Sequence, residues 1–381
     1  MKSYNTTKVF IAACAGLAFF GVAMLSLGPI LGPLNEKVAG ANALPSTMSI
    51  GIILGTILFG PVVDRFGYKW LLIIGSMLLL AGLQVLAGVE NINLLHAAMA
   101  MIGVGGGILN GLTNALVSDI YDDDKRGGRM GVLGAFYCVG ALLWTLLNYF
   151  IPDYIIPLHC MSVIMVLFII YFIFIGFPAA KPQESVSLSK SLGLLKYPAL
   201  LLFAFILFFQ SGFEGASGSF TTKYLVDGAG MNSQAAILSL TWFTVGMFCG
   251  RIPLGAMIKH LKSFGTLFMY LSIAILGVAL MYIGKADTTM AHIAMALIGF
   301  GVGATYPVVL SYLGGVFREQ SGTAFSIAIF IGLCGQFTFN KYVGVMFDGG
   351  SYALFPIILA AAVIVIMILL PIATKVSSKK Q

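Results

Sequence analysis

Charge is the scarcest thing in this chain. Of 381 residues only 9% are Asp, Glu, Lys or Arg, where a soluble domain carries about 25%. So few ionised groups cannot cover a soluble protein of 40.5 kDa with a mean hydropathy of +0.99. A soluble enzyme, a nucleic-acid-binding domain and a disordered chain are excluded. The five cysteines, Cys14, Cys138, Cys160, Cys249 and Cys334, all lie inside apolar runs, and none has metal-ligand spacing. They read as small buried hydrophobes, so no disulfide and no metal is expected. No G-x-x-x-x-G-K-[ST] loop is found. Neither ATP-driven pumping nor a cofactor nor covalent catalysis is expected.

Long apolar runs fill the space that charge leaves. A stretch of about 20 residues crosses a hydrocarbon core of about 30 Å. Twelve such stretches are predicted, at 9–33, 45–63, 70–89, 93–118, 129–151, 154–177, 198–222, 233–257, 264–284, 289–315, 321–344 and 351–372. The first is too long for a signal peptide and has no clean cleavage site. The longest connection runs from Pro178 to Tyr197 and is polar. It divides the chain into bundles at 1–180 and 198–381, with a linker at 181–197. The expected fold is therefore an all-α membrane protein of twelve spans.

Basic residues set the orientation. With both termini in the cytoplasm, seventeen of the 21 lysines and arginines fall on that side. Only Lys37, Lys223, Lys285 and Lys341 fall outside. The net charge of +7 is thus a topology signal, and a nucleic-acid partner is not needed to explain it.

The fourth and tenth spans repeat each other at an offset of 196. Residues 96–107 read HAAMAMIGVGGG and 292–303 read HIAMALIGFGVG, identical at eight of twelve places. The connections after the second and eighth spans echo each other at an offset of 195, through Gly60 and Gly255. Two pseudo-symmetric bundles of six follow. Gly103, Gly107 and Gly111 recur every fourth residue, as do Gly299, Gly303 and Pro307, which suits close helix packing. Pro307 removes a backbone donor and should kink its helix.

The connection after the second span reads Gly60-Pro61-Val62-Val63-Asp64-Arg65-Phe66-Gly67-Tyr68-Lys69. It resembles the signature G-x-L-a-D-r-x-G-r-k of the major facilitator superfamily. The resemblance implies that Gly60, Asp64, Arg65, Gly67 and Lys69, together with Arg251 after the eighth span, act as a conformational latch between the halves. Val62 and Tyr68 depart from the signature. Phe213-Glu214-Gly215-Ala216-Ser217 and Ser239-Leu240-Thr241-Trp242-Phe243 are similar to stretches of the fucose–galactose–glucose:proton symporter group. The whole chain resembles a bacterial member of that kind, which implies a multi-pass inner-membrane symporter, working as a monomer by alternating access. Members of that group place carboxylates in the first and fourth spans. Here the first span has none, and the fourth has Asn110 instead.

Polar side chains inside the spans mark the expected solute site. In this fold the third, sixth, ninth and twelfth spans tend to face lipid, and they carry only Gln84 and His159. The others carry Asn110, Asn114, Asn148, Gln210, Glu214, Gln336 and Asn340. Asn110 and Asn114, Gln210 and Glu214, and Gln336 and Asn340 are each four residues apart, so each pair shares a helix face. Tyr137, Trp144 and Asn148 share a face of the fifth span, and Trp242 and Tyr306 complete the set. Amides beside aromatic rings suit an uncharged polyhydroxylated solute, a monosaccharide above all. The alternative is that the amides bond between helices and touch no ligand. Glu214 lies about 16 residues, roughly 24 Å, along its span. A carboxylate there can exchange a proton when water reaches it. It is expected to couple proton movement to solute binding, to bond the sugar, or both, with an interhelical hydrogen bond as the alternative. Lys341 reads as an interfacial lysine; facing the solute, it would point to an organic anion. A sodium-coupled or uncoupled facilitator is the remaining alternative.

Overall fold

A computed structural model describes residues 4–121, 123–178, 193–284, 287–317 and 321–378. The side chains of residues 60–62, 64–66, 123–128, 255, 256, 259, 321–323 and 378 are outside that description, as is most of the polar linker. Thirteen helices are numbered here in chain order. The first six are α1 (Thr6–Leu25), α2 (Leu31–Lys37), α3 (Leu44–Gly88), α4 (Ile92–Ile120), α5 (Asp123–Phe150) and α6 (Ile155–Phe174). Next come α7 (Pro198–Lys223), α8 (Ser233–Arg251), α9 (Leu254–Gly284), α10 (Thr288–Val302) and α11 (Thr305–Val316). The last two are α12 (Ser321–Asp348) and α13 (Phe355–Ser378).

Helix starts are set by short polar side chains that satisfy the first free N–H groups. Asn5, Asn91, Asn232 and Asp287 each accept from a backbone N–H two or three residues on. Asn91 and Asp287 stand 196 residues apart, so the caps follow the same repeat as the spans they open.

Among the described residues, eleven helical stretches are long and apolar enough to cross a membrane. A further helix, α12, has 28 residues and carries Gln336, Asn340 and Lys341. The protein is an all-α membrane protein of the expected class. The second and third spans are joined without a loop inside α3, which turns at Gly67 (φ 74°, ψ 173°). The eighth and ninth connect through α9, which turns at Lys262 (φ 56°, ψ 167°). Gly67 and Lys262 are 195 residues apart. Glycine adopts this backbone at no steric cost, whereas lysine is strained in it. Lys262 is the one non-glycine with positive φ among the described residues. The tenth span is interrupted at Gly303 and Ala304, four and three residues before Pro307, although both keep right-handed helical φ/ψ.

The chain divides into two compact units, residues 1–185 and 186–381. In unit 1, α4 packs on both limbs of α3, and α1 packs on α5 and α4. In unit 2, α10 packs on α8 and α9, and α7 packs on α12 and α13. The same glycines make the same approaches in both. A Cβ on Gly51, Gly55, Gly103 or Gly107 would strike the carbonyl oxygen of Ala100, Val104, Met48 or Ile52 in turn. A Cβ on Gly246, Gly250, Gly299 or Gly303 would strike that of Ala296, Phe300, Phe243 or Met247. Every partner keeps the offset of 195 or 196. Small residues let the backbones approach this closely where no hydrophobic driving force separates helix from lipid.

Candidate functional site

Unit 2 gathers its polar side chains around α7. Gln210 is 1% exposed. Its Nε2 donates to the Val302 carbonyl at 3.2 Å, and its Oε1 is buried with no hydrogen-bond partner. One turn on along α7 stands half-buried Glu214. Next to it, Gly215 makes room for α12. A Cβ there would lie 2.5 Å from Cγ of Gln336, which is 3% exposed. Asn340, a turn further along α12, is fully buried. On α7, Gln210 thus reaches the end of α10 and Gly215 packs against Gln336 of α12, with Glu214 between them in sequence.

This grouping depends on the broken tenth span. Pro307 has no N–H to give to the Gly303 carbonyl four residues back. Arg251 supplies one instead, through Nε at 3.4 Å. With Gln210 on Val302, two side chains from other helices satisfy carbonyls that the break releases. Carbonyls that a proline frees inside a span are tolerated where neighbouring helices satisfy them in this way.

Unit 1 is arranged differently. Asn114 donates from Nδ2 to the Asn110 carbonyl at 2.8 Å and to Asn110 Oδ1 at 3.3 Å, so the two expected site amides bond to each other. Asn148 donates to the Trp144 carbonyl at 2.9 Å. The fully buried Trp144 donates its indole N–H to the Leu25 carbonyl at 2.8 Å, tying α5 to the end of α1. Tyr137 is buried, its ring 5.6 Å from that of Phe20. Trp242, on α8, is 41% exposed. Lys341 is exposed, its ammonium 5.9 Å from the Phe337 ring.

Of the expected latch residues, Gly60 and the side chains of Asp64 and Arg65 lie outside the described set. Gly67 makes the α3 turn. Lys69 donates to the Ile173 carbonyl at 2.6 Å, closing the end of α6. Arg251 holds the helix break. Beside them, Tyr68, 1% exposed, donates to Asp119 Oδ2 at 2.7 Å. Sequence reasoning took Tyr68 only as a departure from the motif and Asp119 only as the cytoplasmic end of its span.

It also missed Lys223, read as an outer loop residue. Lys223 is 4% exposed and pairs with Asp227 Oδ2 at 2.6 Å. That oxygen also accepts from Tyr352 at 3.3 Å. The backbone widens to a π-turn at 224–228, a feature common at functional sites. Lys223 and Asp227 stand four apart on one helix face, a signal present in the sequence.

A sequence model of the Major Facilitator Superfamily matches residues 9–340. The cis,cis-muconate transport protein of Acinetobacter baylyi is 26% identical over 88% of this chain and 86% of its own length. The glucose/mannose transporter GlcP of Bacillus subtilis is 22% identical over 78% of each. A putative niacin/nicotinamide transporter of Bacillus subtilis is 29% identical, the match spanning 48% of this chain and less than half, 44%, of that protein. Among solved structures, the nucleoside transporter NupG superposes with a TM-score of 0.81 at 13% identity, covering 97% of this chain and 100% of that one. The E. coli fucose:proton symporter superposes with a TM-score of 0.68 at 20% identity, covering 96% and 98%. These likenesses establish the shared fold.

Proposed function

The chain belongs to the Major Facilitator Superfamily of membrane transporters, and we propose that it carries a monosaccharide or close derivative inward together with a proton. The proposal places it in the bacterial inner membrane with both termini in the cytoplasm, as the basic residues require. The bundles at 1–180 and 198–381 are its moving parts in alternating access.

One observation carries the reading: half-buried Glu214 lies on α7 one turn from buried Gln210 and next to Gly215, against which Gln336 packs. Amides and a phenol donate and accept toward hydroxyls, as an uncharged sugar needs. A single carboxylate among them offers one proton site. In unit 1 the same role falls to Asn110, Asn114, Tyr137, Trp144 and Asn148, and in unit 2 Trp242 and Asn340 join. Gly60, Asp64, Arg65, Gly67, Lys69 and Arg251 serve as the latch.

A second reading, an organic anion as solute, is favoured by the muconate relative, whose match covers more of the chain than the glucose/mannose one. A thermal-shift screen of the purified protein against D-glucose, D-fucose, D-xylose, cis,cis-muconate and nicotinate separates the two. The sugar reading expects stabilisation by at least one sugar, weakened in Glu214→Gln. Stabilisation by the anions alone overturns it.

A further inference from the structure

Arg129, the first residue of an apolar stretch that runs to Phe150, lies over two rings at once. Its Cζ is 5.2 Å from the Phe10 centroid and 5.2 Å from that of Tyr121. The rings meet edge to face, 5.6 Å apart at 86°, so they form a corner that the guanidinium fills. Three segments build the corner: the start of α1, the residue after α4, and α5. Phe10 is buried, while Arg129 is exposed.

Among the described residues, Arg129 has no hydrogen bond and no ion pair. A guanidinium carries five N–H donors in one plane. The two rings attract its charge, and the donors remain for the fork that matches carboxylate and phosphate oxygens. A charge at the margin of a hydrocarbon layer needs a polar partner there.

A second observation says what comes with that oxyanion. Val132, Phe136, Val139, Leu143, Leu146 and Phe150 are all exposed. With Arg129 they step along α5 by three and four residues, which is one face of a helix. A cation therefore stands at the head of an uncovered apolar stripe. We propose that Arg129, held by Phe10 and Tyr121, is an oxyanion site for the headgroup phosphate of an anionic phospholipid whose acyl chain follows the stripe on α5. The basic residues assign this end to the cytoplasmic leaflet, where polybasic segments meet anionic lipid.

The test reads binding without flux, so its failure leaves the transport reading standing. Wild type, Arg129→Lys and Arg129→Gln are placed in nanodiscs of phosphatidylcholine with or without phosphatidylglycerol. Retained lipid is measured by native mass spectrometry and the melting temperature is followed. Wild type is expected to retain phosphatidylglycerol over phosphatidylcholine, and Arg129→Gln to lose about tenfold of that preference, the scale of a lost charge-assisted contact. Arg129→Lys, which keeps the charge without the fork, falls between. In a parallel arm, inorganic phosphate and cis,cis-muconate are added to phosphatidylcholine nanodiscs. Protection of wild type but not of Arg129→Gln there keeps the oxyanion site and assigns it to a soluble ion. Equal behaviour of wild type and Arg129→Gln in both arms overturns the proposal. Should Arg129→Gln not fold, absence of any preference in the wild type for phosphatidylglycerol, phosphate or muconate does so equally.

Discussion

Arg251 donates from Nε to the Gly303 carbonyl, the carbonyl that Pro307 leaves without its helical donor. An arginine at the end of α8 thereby satisfies a carbonyl that the proline frees in the span beside it.

This makes the two residues energetically coupled. Arg251→Gln should cost about 1 kcal/mol, the net worth of one hydrogen bond. In a Pro307→Ala background residue 307 again offers an N–H to Gly303, and the cost should be smaller. Thermal unfolding of the four proteins in one detergent measures the cycle. Equal losses in both backgrounds would show that Arg251 does not serve the break.

Lys262 should be better replaced by glycine. Its positive φ strains a residue with a Cβ, at a cost on the order of 1–3 kcal/mol. Lys262→Gly is expected to raise the melting temperature, and Gly67→Ala, its counterpart in unit 1, to lower it. A fall for both would mean that the lysine side chain contributes more than the strain it brings.

The repeated glycine contacts set a sharper contrast. Gly140→Ala and Gly335→Ala push a methyl into the Ala18 and Phe208 carbonyls, and should reduce the yield of monodisperse protein. Gly131→Ala meets nothing within 4 Å, and should stabilise α5 by about 0.5–1 kcal/mol. Size-exclusion profiles of fluorescent fusions distinguish the three.

The Lys223–Asp227 pair predicts a compensating double mutant. Either Lys223→Met or Asp227→Asn strands one charge, with Lys223 the deeper of the two. The loss should be about 1–2 kcal/mol, below that for a fully buried pair because Asp227 is partly exposed. The double mutant should be more stable than either single one, as read by thermal unfolding.

Lys37 carries a smaller, pH-dependent contribution. Its ammonium reaches Tyr154 at 3.5 Å and Glu90 at 3.6 Å. The hydrogen bond with Tyr154 first, and the charge of Glu90 after it, raise its pKa above the ordinary lysine value. A group raised in the folded state stabilises it fully below the unfolded pKa and loses that effect as pH rises through the folded one. Between neutral pH and values above about 10.4, wild type should therefore lose slightly more stability than Lys37→Gln. Parallel losses would remove Lys37 from the account.

The spans were legible because length and hydropathy suffice to define them, and the repeat because glycine and histidine recur in register. Even the breaks had a sign, in Pro307 and in the glycine of the loop motif. Which donor a polar group would meet was less legible, because those partners are distant in sequence. The indole of Trp144 meets a carbonyl 119 residues away, and Gln210 one 92 residues away. Asn110 and Asn114 were rightly placed on one face, but nothing in their spacing said that they would bond to each other. The Lys223 pair was passed over for another reason: a lysine near the end of a span reads as a topology marker unless its partner four residues on is weighed with it.

The central claim is that Glu214 couples proton movement to the solute, and proteoliposomes test it most directly. Uptake of labelled D-glucose or D-fucose is followed with and without an imposed proton gradient, beside exchange between equal pools of the same sugar. The account predicts that Glu214→Gln keeps exchange and loses accumulation driven by the gradient. Accumulation by Glu214→Gln at the wild-type level would contradict it.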